Sequence, residues 1–459
     1  MHRDVLETAH KIAATYLDGV KHRHVGAQAT HEQLRAALGG PLPRTGSDPA
    51  AVLEQLAAQA DRGLSASAGP RYFGFVVGGA VPVSVGADWI ATSWDQNAGV
   101  YVAGPAAAVV EDITAGWILE MLSLPPRSSI GFVTGAHMAN FTCLAAARHD
   151  VLRRAGWDVE AKGLQHAPKV RVIAGGEVHI SAVGALRYLG FGTEEVELIP
   201  VDDQGRMRAD LLERALATGE GPTIVSAQAG NVNTGACDPL DRIVTAAHAK
   251  NAWVHVDGAF GLWASALPEL RDQVRGIETA DSWATDAHKW LNVPYDSGLA
   301  IVANAAPHRA AMNMKASYLQ RDAAEERVGM DWAPESSRRA RGLPIYALIR
   351  ALGADGVADM IRRNCAQARR MAAHLSKVTG VSILNEVVLN QVLVHFESDE
   401  RTRAVISRVQ AGGTCWAGGA IWQGKQVMRI AVSNWSTTDA DIDRSADAIV
   451  RCYNDVRAS

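Results

Sequence analysis

The chain has 459 residues, 48% of them hydrophobic, and a formal net charge of -4. That length exceeds the usual ceiling for a single hydrophobic core, so two packed domains plus a terminal extension are expected. No cluster of Lys and Arg interleaved with aromatics marks a nucleic-acid surface, and no stretch approaches the ~20 uncharged apolar residues of a membrane span.

In chain order, the opening MHRDVLETAHKIAATYLDGV places Val5, Ile12, Ala13 and Tyr16 on one helical face. It carries charges throughout, unlike the apolar core of a secretion signal, so a cytoplasmic location is expected. Residues 1–65 read as an arm of helices broken by GGPLPRTGSDPA. Its apolar faces are narrow and need a surface to pack against. Residues 66–335 read as a large α/β domain, because from about residue 128 the runs VRVIA, VELIPV, TIVSAQ, WVHVD, SWAT and GLAIV alternate with helical stretches. Such alternation predicts a mostly parallel sheet. Residues 336–459 read as a small α+β domain: a long helix from PIYALIRAL, the strands VSILN, VLVHF and VMRIAVS, and a closing helix. The run Arg338, Arg339 and Arg341 before that long helix reads as a solvated or phosphate-facing helix start. The five cysteines (Cys143, Cys237, Cys365, Cys415, Cys452) are scattered without a CxxC, which predicts reduced, mostly buried thiols and no metal site.

Ligands of open parallel sheets collect beyond the carboxyl ends of the strands. Those ends carry Gly135, Ala136 and His137 after GFVT, His179 after VRVIA, Gly230 and Asn231 after TIVSAQ, Asp257 closing WVHVD, and Lys289 after SWATDAH. A carboxylate buried at a strand end needs a cation, either a core arginine or a protonated pyridine nitrogen that the carboxylate keeps electron-poor. Lys289, between His288 and Trp290, is either a snorkelling lysine or a desolvated amine able to form a Schiff base. The two together favour the chemical reading. TGAHMANF leads from a glycine into a helix whose free first-turn amides suit a phosphate. His179 alone would be a helix cap; beside Asp257 and Lys289 it reads as a ring stacked on a cofactor.

HVDGAFG, DAHKWLNVPYDSG, TGAHMAN and RYFGF together resemble the group II pyridoxal 5'-phosphate (PLP) dependent amino acid decarboxylases, which include the aromatic amino acid, histidine and glutamate enzymes. The resemblance covers about residues 65 to 445. It implies PLP fold type I, aspartate aminotransferase-like, in a homodimer with shared active sites whose N-terminal arm wraps the partner. It also implies roles. Lys289 matches the Schiff-base lysine, Asp257 the pyridine-nitrogen partner, Ala259 the small residue beneath the ring, and His179 the histidine above it. Gly135, Ala136, His137, Asn231, Asp286 and His288 fall at cofactor-binding positions, although Asp286 stands where aromatic decarboxylases carry Asn and would repel a phosphate dianion. Tyr72, Phe73, Trp94, Tyr101 and Trp332 fall at pocket positions for an amino acid substrate.

The expected reaction is decarboxylation of an L-amino acid to its amine. In many relatives the loop at about 319–335 carries a tyrosine that protonates the α-carbon; here LQRDAAEERVGMDWAPE has none, Trp332 being the aromatic in register and Tyr318 preceding it. An oxidative aldehyde synthase or another PLP lyase is therefore one alternative, and a catalytically idle binding relative a second. GAIWQGK lacks the Ser or Thr of a phosphate-binding P-loop and runs on into a strand, so it is set aside. His22 and His24 read as solvated, and Trp416, Trp422 and Trp435 as core or interface packing.

Overall fold

The computed structural model describes residues 2–314 and 327–458, so the Tyr318 position and residues 319–326 of the expected active-site loop lie outside the described residues. The chain divides into two compact units, one formed by residues 78–366 with 385–391 and the other by residues 1–77, 367–384 and 392–459. The division falls inside the helix Gly342–Leu375, which bends at Gly353 (φ 65°). Residues 1–77 thus group with the C-terminal segments and do not form a body of their own.

The larger unit is built on a seven-stranded sheet: β1 (Ser129–Val133), β2 (Arg171–Gly175), β3 (Val196–Ile199), β4 (Thr223–Gln228), β5 (Trp253–Asp257), β6 (Ser282–Asp286) and β7 (Gly298–Val302). The order is β1-β7-β6-β5-β4-β2-β3, with β3, β2, β4, β5 and β6 parallel and β7 antiparallel to both β1 and β6. The expected α/β class holds. β4 to β7 are buried along their whole length, as strands covered on both faces are, and the polar side chains they carry, among them Ser226, His255, Asp257 and Ser282, are buried with them. Against the sheet lies the helix Ala136–Arg154. Its Ala139, Ala145, Ala146 and Ala147 let the backbone approach closely, and Leu144, Val151 and Leu152 fill the core.

Arg338 corrects the reading of its basic run. Its side chain is fully buried, paired with Glu111 at 2.9 Å and donating to the carbonyls of Ala98 (2.9 Å) and Phe132 (2.7 Å). Arg339 and Arg341 do remain near the surface, paired with Asp88 and Asp296. A guanidinium has five donors in a fixed fork and can satisfy several buried acceptors at once, something residue type alone does not announce.

The smaller unit holds a four-stranded sheet, β10-β11-β9-β8, from β8 (Val381–Ile383), β9 (Gln391–Phe396), β10 (Gly418–Trp422) and β11 (Lys425–Ala431). The GAIWQGK string is the β10–β11 hairpin. RYFGF straps onto this unit: Phe73 N donates to Trp416 O (2.8 Å), Tyr72 stacks on Trp416 at 4.9 Å, and buried Arg71 pairs with Asp441 at 3.0 Å. His24 is not solvated as expected; its two ring nitrogens face the carbonyls of Gly26 (2.9 Å) and Ala411 (3.1 Å). The helices His2–Gly19, His31–Leu38 and Pro49–Ala60 bury no residue.

Candidate active site

Five parallel strands point one way, so the segments after β2, β4, β5 and β6 leave the same edge of the larger unit's sheet. Asp257, the last residue of β5, is 4% exposed. Its Oδ2 accepts from Asn140 Nδ2 (3.0 Å) and its Oδ1 from the Ala259 amide (3.2 Å), and among the described residues no cation pairs with it. A carboxylate buried with neutral donors alone is costly, and a protonated ring nitrogen fits the missing charge.

Beyond β6 the chain turns tightly through Asp286, Ala287, His288 and Lys289. Lys289 Nζ lies 2.9 Å from Asp286 Oδ2, and His288 Nε2 lies 3.2 Å from Asp286 Oδ1. Burial, the larger effect, holds the His288 imidazole below its ordinary range despite the Asp286 carboxylate. Neutral His288 accepts the Ser297 N–H at Nδ1 (3.1 Å), so its hydrogen sits on Nε2, facing Asp286. Asp286 Oδ1 also accepts the first amide of the Ala136–Arg154 helix, Ala136 N, at 2.5 Å. That helix has no capping side chain at Gly135, and its start is exceptionally close to the sheet: a Cβ on Gly298 would stand 2.4 Å from Gly135 Cα, and one on Gly135 would stand 3.0 Å from His288 Cε1. The positive end of a helix, a lysine and a bare glycine approach make a cradle for an anionic, aldehyde-bearing cofactor.

His179 is the N-cap of the helix Ile180–Tyr188, so the ordinary reading of that residue is correct as local structure. Its Nδ1 accepts the Ser181 N–H (3.2 Å), which leaves the ring half-exposed beyond β2 with its hydrogen on Nε2. His137 points elsewhere, stacking on Tyr188 at 5.4 Å. Asn231 uses its Oδ1 to hold the Asn233 (2.9 Å) and Thr234 (3.3 Å) amides of its own loop, and its buried Nδ2 has no protein partner. Trp94 ends the helix Pro82–Trp94 exposed, and Tyr101 begins the short turn Tyr101–Ala103. Trp332 packs edge-on to His308 at 5.3 Å and lines a hollow with Ala306, Arg309 and Asn313. Among the described residues, none of these three shares a hydrogen bond or ring contact with the Lys289 group. Tyr72 and Phe73 belong to the smaller unit.

Sequence reading missed Asn140, Ser181, His255 and Ser282. His255 Nε2 lies 2.8 Å from Asn140 Oδ1 and its Nδ1 lies 3.0 Å from Ser282 Oγ, behind Asp257. Two signals were available: His255 is two residues before Asp257, hence on the same face of β5, and Asn140 is four residues after Ala136, hence above it on the helix.

The family model for the pyridoxal-dependent decarboxylase conserved domain matches residues 32–397. The chain belongs to the pyridoxal-dependent decarboxylases. This decarboxylase is a PLP-dependent carboxy-lyase that acts on an amino acid. It is 26% identical to an aromatic-L-amino-acid decarboxylase of Bacillus atrophaeus over 84% of this chain and 79% of the relative. To an L-2,4-diaminobutyrate decarboxylase of Rhizobium meliloti it is 29% identical, over 78% of this chain and 71% of the relative. To a phenylacetaldehyde synthase of Arabidopsis thaliana it is 26% identical, over 72% and 71%. Its fold matches that of Oryza sativa TDC, solved with PLP and tryptamine, at a TM-score of 0.92 and 23% identity over 99% of this chain and 97% of that one. The residues present fit such a cofactor: a lysine amine, a buried carboxylate among neutral donors, and a helix start whose first amide is taken by Asp286.

Proposed function

We propose that the decarboxylase converts an L-amino acid to its amine and carbon dioxide, with Lys289 tethering the cofactor through Nζ. The observation that carries this is a lysine and a buried carboxylate at neighbouring strand ends: Lys289, held by Asp286 just beyond β6, and Asp257, the last residue of β5, which has no cation among the described residues. When bound, PLP supplies a cationic ring that accepts the electron pair left at the α-carbon. Asp257 would pair with the protonated ring nitrogen, and Ala259, small and fixed by the hydrogen bond from its amide to Asp257 Oδ1, would leave room for the ring. The first-turn amides of the Ala136–Arg154 helix that Asp286 leaves open would hold the phosphate with His288, and Asn231 Nδ2 would offer a further donor. Asp286 holds Lys289 Nζ beyond the end of β6, where the amine would meet the cofactor's aldehyde. His179, with hydrogen at Nε2, would cover the cofactor and supply the proton that replaces the lost carboxylate.

The test is direct. Purified protein with PLP is expected to absorb visibly, to release carbon dioxide and amine in equal amounts from one of a panel of L-amino acids, and to carry the cofactor on Lys289 after borohydride. Lys289→Ala is expected to abolish all three; an unlabelled Lys289 in the active protein contradicts the assignment. A second reading, release of aldehyde, is favoured by the absence of tyrosine from residues 319–335. In that case hydrogen peroxide appears in step with carbon dioxide.

We further propose a homodimer, with residues 1–65 serving as an arm over the partner and Trp94 and Tyr101 completed as pocket walls by a second copy. Support comes from Leu6, Leu17, Leu56, Trp89, Ile90 and Trp94, apolar side chains left exposed on the N-terminal helices and on Pro82–Trp94.

A further inference from the structure

Behind the Lys289 group runs a chain of hydrogen bonds whose direction is fixed by the one group in it that can only donate. Trp253 Nε1 gives its hydrogen to Ser282 Oγ at 2.9 Å. The Ser282 hydroxyl hydrogen is then free for His255 Nδ1, 3.0 Å away, so His255 carries its own hydrogen on Nε2 and presents it to Asn140 Oδ1 at 2.8 Å. Burial pushes the His255 imidazole down to about 4, which keeps it in this neutral, one-hydrogen form at neutral pH. With its oxygen committed to His255, the Asn140 amide has one orientation left. Its Nδ2 donates to Asp257 Oδ2 at 3.0 Å and to Ser181 Oγ at 3.3 Å. The Ser181 hydroxyl, occupied as an acceptor, turns its hydrogen to His179 Nδ1, 2.7 Å away.

We infer that Asn140 is a positioning residue that serves two distant roles at once: one amide hydrogen steadies the Asp257 carboxylate, and the other, by orienting the Ser181 hydroxyl, adds a second and shorter bond to the Ser181 backbone N–H in holding the His179 ring in the tautomer with hydrogen on Nε2. The inference rests on the roles proposed above for Asp257 and His179. Without Asn140 the Ser181 hydroxyl is free to rotate away from Nδ1, which leaves the longer bond from the Ser181 backbone N–H as the one hold on this tautomer and lets the opposite one become populated. Asn140 is fully buried and touches both arms, so its loss is felt at both ends, whereas the loss of Ser181 is felt at His179 alone.

The experiment compares the holoenzyme with its Asn140→Leu, Ser181→Ala and Ser181→Thr variants, using the nitrogen NMR spectrum of histidine-labelled protein, cofactor titration and steady-state rates. In the unaltered protein His179 is expected to show one tautomer, hydrogen on Nε2. In Asn140→Leu and Ser181→Ala a second tautomer appears and kcat falls about tenfold with KM little changed, as for one lost buried hydrogen bond. Ser181→Thr, which keeps the hydroxyl, restores both. Cofactor affinity falls about tenfold in Asn140→Leu alone, because only there does Asp257 lose a donor. Retention of the single His179 tautomer in both Asn140→Leu and Ser181→Ala overturns the inference. If Asn140→Leu does not fold, the Ser181 pair decides it. A failure of the Lys289 assignment is seen separately, as unaltered protein that takes up no PLP while its histidine spectrum still reports the chain.

Discussion

Burial decides what the titratable residues can do. His255 and His308 are held down at about 4 and about 3 by desolvation, below the ~6.5 of an unfolded histidine. As pH falls below ~6.5 the unfolded chain takes up protons that the folded chain refuses, so stability present above that pH is lost progressively towards the folded values. Asp238 works the other way: burial raises it to about 6 although it accepts the Met207 and Gln228 amides, each at 2.7 Å, so the folded chain takes that proton first and gains stability as pH falls. Two histidines outweigh one carboxylate. The expected outcome is a net loss on the order of 3 kcal/mol between about pH 6.5 and 4.5, seen as a Tm lower by a few degrees in calorimetry of the PLP-free protein. A Tm constant across that range contradicts it. None of this was legible in sequence, because a histidine's surroundings come from elements far apart: Ser129 and the Trp332 carbonyl bind His308, while Asn140 and Ser282 bind His255.

Elements were the most legible level. Apolar strand runs, alanine-rich helix faces and strand-end polar residues all follow local rules, and β2, β3, β4, β5, β6 and β7 lie where those runs stand in the sequence. Direction was not local: β7 continues from β6 by a short connection and runs antiparallel, a fact carried by pairing rather than by its own residues. Close approach was likewise invisible. Gly298 opens β7 against the backbone of Gly135, at the start of the Ala136–Arg154 helix, and no flexible side chain is there to yield. Gly298→Ala is therefore expected to cost about 2–3 kcal/mol and to weaken PLP binding about tenfold, measured by thermal denaturation and cofactor titration. Unchanged values for both would show that the helix start has room to move.

At the scale of the molecule, three N-terminal helices without a buried residue carry Leu6, Leu17, Val52 and Leu56 exposed. A second copy is the proposed cover, and light scattering on the eluting peak is expected to give twice the 48.9 kDa of one chain, while a single-chain mass contradicts the dimer. The sequence by itself determined the α/β class and, through the motifs around Lys289 and Asp257, the decarboxylase family, since a lysine and a carboxylate at strand ends are legible as residue types; the roles proposed for the two follow from that reading. Only the tertiary structure decided how those groups are held: Asp286 on the Ala136 amide and Lys289, Arg338 buried against Glu111, and Asn140 between Asp257 and Ser181. Hydrogen-bond direction depends on which donors and acceptors meet, and residues such as 140 and 257 meet only once the chain has folded.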